Sequence, residues 1–216
     1  MATAYNMLII LAFHALGIAF ALRQDEACGP GRRPMFSMII ATHDAERALV
    51  PTLAALVPGA TAGIVREVII ADGGSRDKTE QVADIAGCRF LLSEEPLGAR
   101  LRATAGVARG EWLMFLRPGI VPGSNWIDET IAFVQQATDQ PRAAVFAAKI
   151  NGLLTRLSRI VSPLPHPEQG LILRKSFYDE LGGHQPSAND PEADLLRRIG
   201  RSRLITLRAT VTHTTI

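Results

Sequence analysis

An α/β fold, with a mostly parallel sheet and helices on both faces, is what this 216-residue sequence predicts. Three observations carry that expectation. Apolar runs of strand length recur at residues 35–41 (MFSMIIA), 67–71 (EVIIA) and 111–116 (EWLMFL). Segments with helical spacing separate them, such as 45–56, where Leu49, Leu53 and Leu56 share one face. Ahead of all this stands an uncharged stretch over residues 1–22, close to the roughly 20 residues that cross a bilayer core. Alternating strands and helices are the pattern of βαβ units.

The N-terminal stretch contains the sixteen-residue run MLIILAFHALGIAFAL, interrupted only by His14. It has no clear 3.6-residue period, so it does not read as an amphipathic surface helix. Ala19-Phe20-Ala21 resembles a signal-peptidase site, but no Lys or Arg precedes the run, whereas Arg23, Arg32 and Arg33 follow it. That order of charge favours an uncleaved anchor with the following chain in the cytoplasm. Residues 23–34 (RQDEACGPGRRP) read as a Gly/Pro-rich linker, and the folded domain is expected over 35–216.

Within the domain the first strand runs into Thr42-His43-Asp44, and the helix after it is expected to stop at Pro58-Gly59. The second strand ends in Asp72-Gly73-Gly74-Ser75, with Asp77 placed to cap a helix over 77–85. A short strand at 89–92, a helix at 97–108 and the third long strand follow, the last closed by Arg117-Pro118-Gly119. Further on, helices are expected at 125–136, 175–181 and 194–199, and strands at 143–148, 170–174 and 204–212. Right-handed crossovers gather the loops that follow the parallel strands at one edge, where ligands bind in such sheets.

Composition narrows the function. The 23 basic and 21 acidic residues leave a formal charge of +2, which gives no reason to expect a nucleic-acid partner. Arg197, Arg198, Arg201, Arg203 and Arg208 crowd the C-terminal end; they suit either acidic headgroups and phosphates or a solvated helix face. Two cysteines, Cys28 and Cys88, form no metal-ligand spacing or disulfide framework. His43, His166, His184 and His213 are far apart in sequence and read as surface or loop residues. Asp72 at a strand's carboxyl end suits a ribose or base N–H, and its two following glycines allow close backbone approach, although the same residues also make a plain turn.

Read in order, MFSMIIATHDAERALVPTLAAL and EVIIADGGSRDKT resemble the opening of family 2 glycosyltransferases of the GT-A fold. More narrowly they resemble a bacterial subgroup with the strand-end sequence V-D-G-G-S-x-D-x-T. The similarity continues through GARLRATAG, RGEWLMFL, HPEQGLILRKSFYDELGGHQ and PEADLLRRIG, and so spans most of residues 35–210. The resemblance implies transfer of a sugar from a nucleotide-diphosphate donor to an acceptor, and the expected anchor points to a lipid-linked or saccharide acceptor of the cell envelope. The enzyme would be inverting and anchored to the bacterial inner membrane. By the same resemblance Thr42, Asp44 and Asp72 hold the nucleotide, Glu168 and Gln169 face the acceptor, and Glu192 is the catalytic base. A carboxylate there takes the proton of the attacking hydroxyl.

The sequence departs from the family where an Asp motif, D-x-D or A-D-T, binds a divalent metal on the donor's diphosphate. Here Arg117-Pro118-Gly119-Ile120 stands in that place, without a carboxylate. Mg²⁺ and Mn²⁺ need oxygen ligands, so no metal ligands are assigned and the use of a metal is left open. Arg117 has the charge and fork geometry to hold the diphosphate instead. A second reading makes the chain a catalytically inactive relative that binds nucleotide sugars or partners. A nucleotidyltransferase would need a Gly-rich loop with Lys or Arg near the first strand, which Thr42-His43-Asp44 does not supply.

Overall fold

The computed structural model describes residues 35–137, 140–148 and 166–214. The expected membrane segment, the linker and Cys28 lie outside the described residues.

Eight strands form one sheet in the order β3-β2-β1-β4-β7-β6-β8-β5. In chain order these are β1 (Phe36–Thr42), β2 (Val65–Asp72), β3 (Arg89–Leu92), β4 (Trp112–Leu116), β5 (Ile120–Pro122), β6 (Ala143–Ala148), β7 (Leu171–Arg174) and β8 (Leu204–His213). The helices are α1 (Glu46–Thr61), α2 (Thr79–Ile85), α3 (Leu97–Val107), α4 (Trp126–Ala137), α5 (Lys175–Glu180) and α6 (Pro191–Ile199).

The sheet is mixed rather than mostly parallel. β3, β2, β1 and β4 run parallel, as βαβ crossovers require. β7 then pairs antiparallel with both β4 and β6, and β5 antiparallel with β8. Strand pairing depends on which distant segments meet, and the local run GLILR carries no mark of direction. The three-residue β5 gives too short a run to be read at all.

Alternation along the strands divides the core into two layers. Phe36, Met38 and Ile40 of β1 face Leu49, Leu53 and Leu56 of α1, with Trp126 and Phe133 of α4 in the same layer. Ile39 points the other way, into the layer of Leu101 on α3, Phe177 on α5 and Leu195 on α6. Helices therefore cover both faces. Each fully buried Leu, Ile or Phe contributes about 1.5–3 kcal/mol of transfer free energy, so the two layers are the main source of stability.

Helix α1 runs past the expected stop. It continues through Pro58 and Gly59 to Thr61, and the left-handed residue that ends it is Gly63, at φ 72°. Pro58 removes one N–H but leaves its own carbonyl free to accept from Ala62 at 2.9 Å. Gly59 is there for contact, since a Cβ would lie 2.5 Å from the Trp126 ring. That ring is buried and donates its Nε1–H to the Ala55 carbonyl at 3.1 Å, locking α4 onto α1. Helix α6 also begins earlier than expected, at Pro191, because Asp190 caps it by accepting from the Ala193 N–H at 3.0 Å.

Candidate functional site

The carboxyl ends of β2, β1 and β4 lie side by side, and the start of β7 meets the same edge because it runs antiparallel to β4. Thr42, Asp44, Asp72 and Arg117 stand at or after these strand ends, Glu168 and Gln169 just before β7, and Glu192 meets Arg117.

Thr42 and Asp72 are register partners at the ends of β1 and β2. The Thr42 hydroxyl donates to Asp72 Oδ1 at 2.7 Å, and the Ser75 hydroxyl donates to the same oxygen at 2.5 Å. Asp72 Oδ2 accepts from the Gly74 and Ser75 N–H groups at 2.9 and 2.7 Å. A carboxylate offers about four acceptor sites, so that of Asp72, 1% exposed, is filled by its own chain. Burial pushes its pKa up, but the bonds from Ser75, Thr42 and Gly74 outweigh that and hold it below the usual carboxylate value.

The loop after β1 is laced to the loop after β2. The N–H groups of Asp44, Ala45 and Glu46 donate to Ser75 Oγ, Thr79 Oγ1 and Asp77 Oδ2 at 2.8, 2.9 and 2.9 Å. In return Asp44 Oδ1 accepts from the Arg76 N–H at 2.7 Å. Asp44 takes a left-handed φ of 47°, which Asp tolerates better than most residues. Helix α1 thus has its first amides capped from across the rim. Asp77 does cap α2, accepting from the Thr79 N–H at 2.9 Å from one residue ahead of the cap position.

Arg100 went unrecognised in the sequence. From α3 its Nη1 reaches the Thr42 and Ala71 carbonyls at 3.2 and 2.8 Å, and its Nε reaches that of Glu95 at 3.1 Å. The guanidinium underlies the β2 loop so closely that a Cβ on Gly73 would lie 2.8 Å from it. Its partners are backbone carbonyls, which leave no side-chain pattern to read.

Arg117 follows β4 directly. Its Nε donates to Glu192 Oε2 at 2.9 Å, and its Nη2 donates to the same oxygen. The two residues are 75 positions apart in sequence. Burial lowers the Arg117 pKa, but the bond to Glu192 and the charges of Glu192, Asp190 and Glu168 raise it overall. For Glu192 the balance tips the other way: burial raises its pKa and Arg117 offsets this only in part. Two N–H donors converge on one carboxylate oxygen, so the ion pair is the resting state.

Glu168 and Gln169 lie on a single 3₁₀ turn at Pro167–Gln169. Glu168 is exposed, with His166 at 3.7 Å and His213 at 3.9 Å from its Oε2. Gln169 is buried and spends its amide on the chain, donating to the Phe146 carbonyl at 2.7 Å and accepting from the His166 N–H at 2.9 Å. His184 is not the surface residue expected, being 1% exposed. It lines a small pocket with Glu192, between walls of Phe115, Leu171 and Leu196. Two of the five C-terminal arginines are also structural. Arg198 binds Asp194 and the carbonyls of Leu181 and Gly183, while Arg203 stacks 5.2 Å from the Phe177 ring.

The side chains around the end of β4 are arranged about a guanidinium. Among the described residues no group of three Asp, Glu, His or Cys side chains is placed to hold a metal ion. The carboxylates whose charge acts around the end of β4, namely Glu192, Asp190 and Glu168, act on the Arg117 guanidinium.

Comparison with known proteins agrees with the geometry. The sequence profile of glycosyl transferase family 2 matches residues 37–185, and the chain belongs to that family. No curated protein sequence matches it. Among solved structures it resembles glucosyl-3-phosphoglycerate synthase from Mycobacterium tuberculosis, in complex with manganese, uridine diphosphate and glucosyl-3-phosphoglycerate. The TM-score is 0.63 at 15% identity, over 88% of this chain and 79% of that one. It also resembles a mannosyltransferase from Pyrobaculum calidifontis in complex with GDP-Man and manganese. There the TM-score is 0.66 at 15% identity, over 96% of this chain and 66% of that one. At such identities the likeness is one of fold.

Proposed function

We propose that this member of glycosyl transferase family 2 moves a sugar from a nucleotide-diphosphate donor to a hydroxyl acceptor, with inversion, and that Arg117 replaces the metal ion. The observation that carries the reading is the Arg117–Glu192 pair at the end of β4, one strand from the laced loops of β1 and β2. It joins a cation for the leaving group to a buried carboxylate for the nucleophile.

The nucleotide lies across the β1 and β2 loops. Thr42 and Asp72, already bonded to each other, hold the backbone of 73–75 in shape, and the half-exposed Asp44 contacts the base or ribose. The incoming diphosphate draws the Arg117 guanidinium to itself, since two phosphates carry more charge than one carboxylate. Glu192 is then released in a buried setting that makes it a stronger base. The acceptor oxygen attacks the anomeric carbon as the bond from that carbon to the diphosphate oxygen breaks. The bonding pair leaves with the diphosphate, and the hydroxyl proton goes to Glu192. Glu168 faces the acceptor, and Gln169 holds the turn that presents it.

The chain is further read as one of the bacterial V-D-G-G-S-x-D-x-T subgroup, with 35–216 as its transferase domain. Residues 1–22 are its anchor in the inner membrane, 23–34 its linker, and the domain lies in the cytoplasm beside a lipid-linked or saccharide acceptor. The order of charge around the apolar run supports that placement. A mature N-terminus near Leu22, or cleavage of the domain by protease added outside intact cells, would overturn it.

The test of the reaction uses the full chain in detergent. Calorimetry with UDP and GDP, with and without manganese, reads binding, and turnover of their sugars is followed with and without EDTA. Binding and turnover that persist in EDTA are expected. Turnover that stops on chelation and returns with metal refutes the role of Arg117. Binding with no turnover under any condition favours the inactive relative.

A further inference from the structure

We propose that the Nε2–H of His184 is a hydrogen-bond donor to the acceptor hydroxyl held beside Glu192. The inference rests on Glu192 being the proton acceptor, and it adds a residue that neither the motifs nor the ion pair assign.

The argument begins with Tyr178. Its hydroxyl is buried, accepts from the His184 backbone N–H at 3.1 Å, and lies 2.9 Å from His184 Nδ1. A phenol has one proton to give. If Nδ1 carried a proton too, the tyrosine oxygen would accept twice and its own buried O–H would have no acceptor in the chain. The arrangement that satisfies every group has Tyr178 donating to a bare Nδ1, which puts the imidazole proton on Nε2. Burial keeps the ring neutral, pushing its pKa down to about 3 with the Arg198 charge adding to the effect, and it keeps the phenol protonated, at about 12.

Among the described residues Nε2 has no hydrogen-bond partner. Yet among the described residues no fully buried side-chain nitrogen or oxygen lacks a partner. Nε2 is therefore not sealed, and the opening that His184 lines is the pocket it shares with Glu192. The ring cannot turn away, since Phe115 packs edge-on at 4.8 Å and Tyr178 at 5.5 Å, with the hydrogen bond fixing the second axis. The pocket has room for about one water molecule. Besides Glu192 and His184 it is lined by Phe115, Pro167, Gly170, Leu171 and Leu196.

Such a space suits one hydroxyl. The hydroxyl gives its proton to Glu192 and takes the His184 N–H on one lone pair, leaving the second lone pair for the anomeric carbon. As the proton leaves, the N–H stabilises the growing negative charge on oxygen. A neutral imidazole with its free lone pair tied to Tyr178 does not compete for that proton. In the resting chain, Arg117 holds only Oε2 of Glu192.

Two arms test this on the full chain. In the first, histidine labelled with ¹⁵N reports the His184 ring from pH 8 to pH 5. A neutral Nε2–H tautomer that does not titrate over that range is expected, and Tyr178→Phe should perturb the tautomer. A proton on Nδ1, or a midpoint near the ordinary value of about 6.5, overturns the proposal. In the second, water serves as the acceptor and UDP-glucose hydrolysis is followed. His184→Phe keeps the ring and loses the donor, so kcat should fall about tenfold with the KM for UDP-glucose unchanged, roughly the worth of one hydrogen bond. His184→Gln, which can place an amide N–H near the same point, should recover part of the loss. An unchanged kcat in folded His184→Phe overturns the proposal. A wild-type chain that hydrolyses no UDP-glucose counts against the reaction, while the first arm still decides the proton on His184.

Discussion

Replacing Arg117 by alanine isolates the pair at the centre of the rim, and the outcome can be worked out without assuming any activity. The Glu192 side chain is 13% exposed and that of Arg117 is 36% exposed. Breaking a fully buried ion pair costs about 3–5 kcal/mol, and an exposed one about 0.2–1 kcal/mol. This pair lies between, and water at the guanidinium screens part of the charge, so the expected loss is about 1–3 kcal/mol at pH 8. The loss has a pH signature. Glu192 already has a native pKa above its ordinary value because it is buried, and removing Arg117 moves it further up. The native state then holds a proton that the unfolded chain releases. Stability is greatest below the unfolded value of about 4.3 and falls as pH rises through the native pKa. Urea unfolding of wild type and Arg117→Ala at pH 4.5, 6 and 8 should therefore show a difference that grows with pH. It should shrink to under about 1 kcal/mol at the acid end, where only packing of the arginine stem is lost. The double variant Arg117→Ala with Glu192→Gln should lose the pH dependence, because glutamine carries no charge to strand. A loss equal at all three values, or one that survives in the double variant, would refute the reasoning.

Three further outcomes follow from the same structure. Glu192→Gln should leave nucleotide binding by calorimetry within about twofold, while the transfer rate falls by about 10²–10⁴, the usual worth of a positioned base. Asp72→Ala strands the hydroxyls and N–H groups of Thr42, Gly74 and Ser75, so it should lower stability by about 1–3 kcal/mol in urea and weaken nucleotide binding together with it. Gly59→Ala sets a methyl 2.5 Å from Trp126 and should cost about 1–3 kcal/mol of stability, with Trp126 fluorescence reporting the displaced ring.

What could be read from the sequence follows from the range of the forces involved. The strands β1, β2 and β4 and the helices between them were legible because their signal is local: an apolar run, a helical period, a cap. The mixed direction of the sheet was not, since β7 runs antiparallel to β4 through contacts between residues such as Leu113 and Leu173, far apart along the chain. The end of α1 was misplaced for a related reason. Pro58 and Gly59 look like a stop, but Gly59 answers to Trp126, and tertiary packing overrides local propensity.

The rim shows the same division at the level of chemistry. Thr42, Asp44 and Asp72 stand at strand ends that the sequence could locate, whereas Arg100 and His184 act through a carbonyl cluster and a buried phenol that no spacing announces. Arg117 is the instructive case. On sequence it is a cation where the family resemblance implies acids. In the fold, Glu192 binds it directly, and the charges of Glu168 and Asp190 favour its charged form. Leaving those carboxylates unpaired beside one another would cost stability through like-charge repulsion, and an external cation is the ordinary remedy. A tethered guanidinium meets the same need without an ion to bind. It is also held by a side chain that can swing towards the more highly charged diphosphate. Under the proposed function, Arg117 sets how the site is charged, and Glu192 is released as the diphosphate draws the guanidinium away.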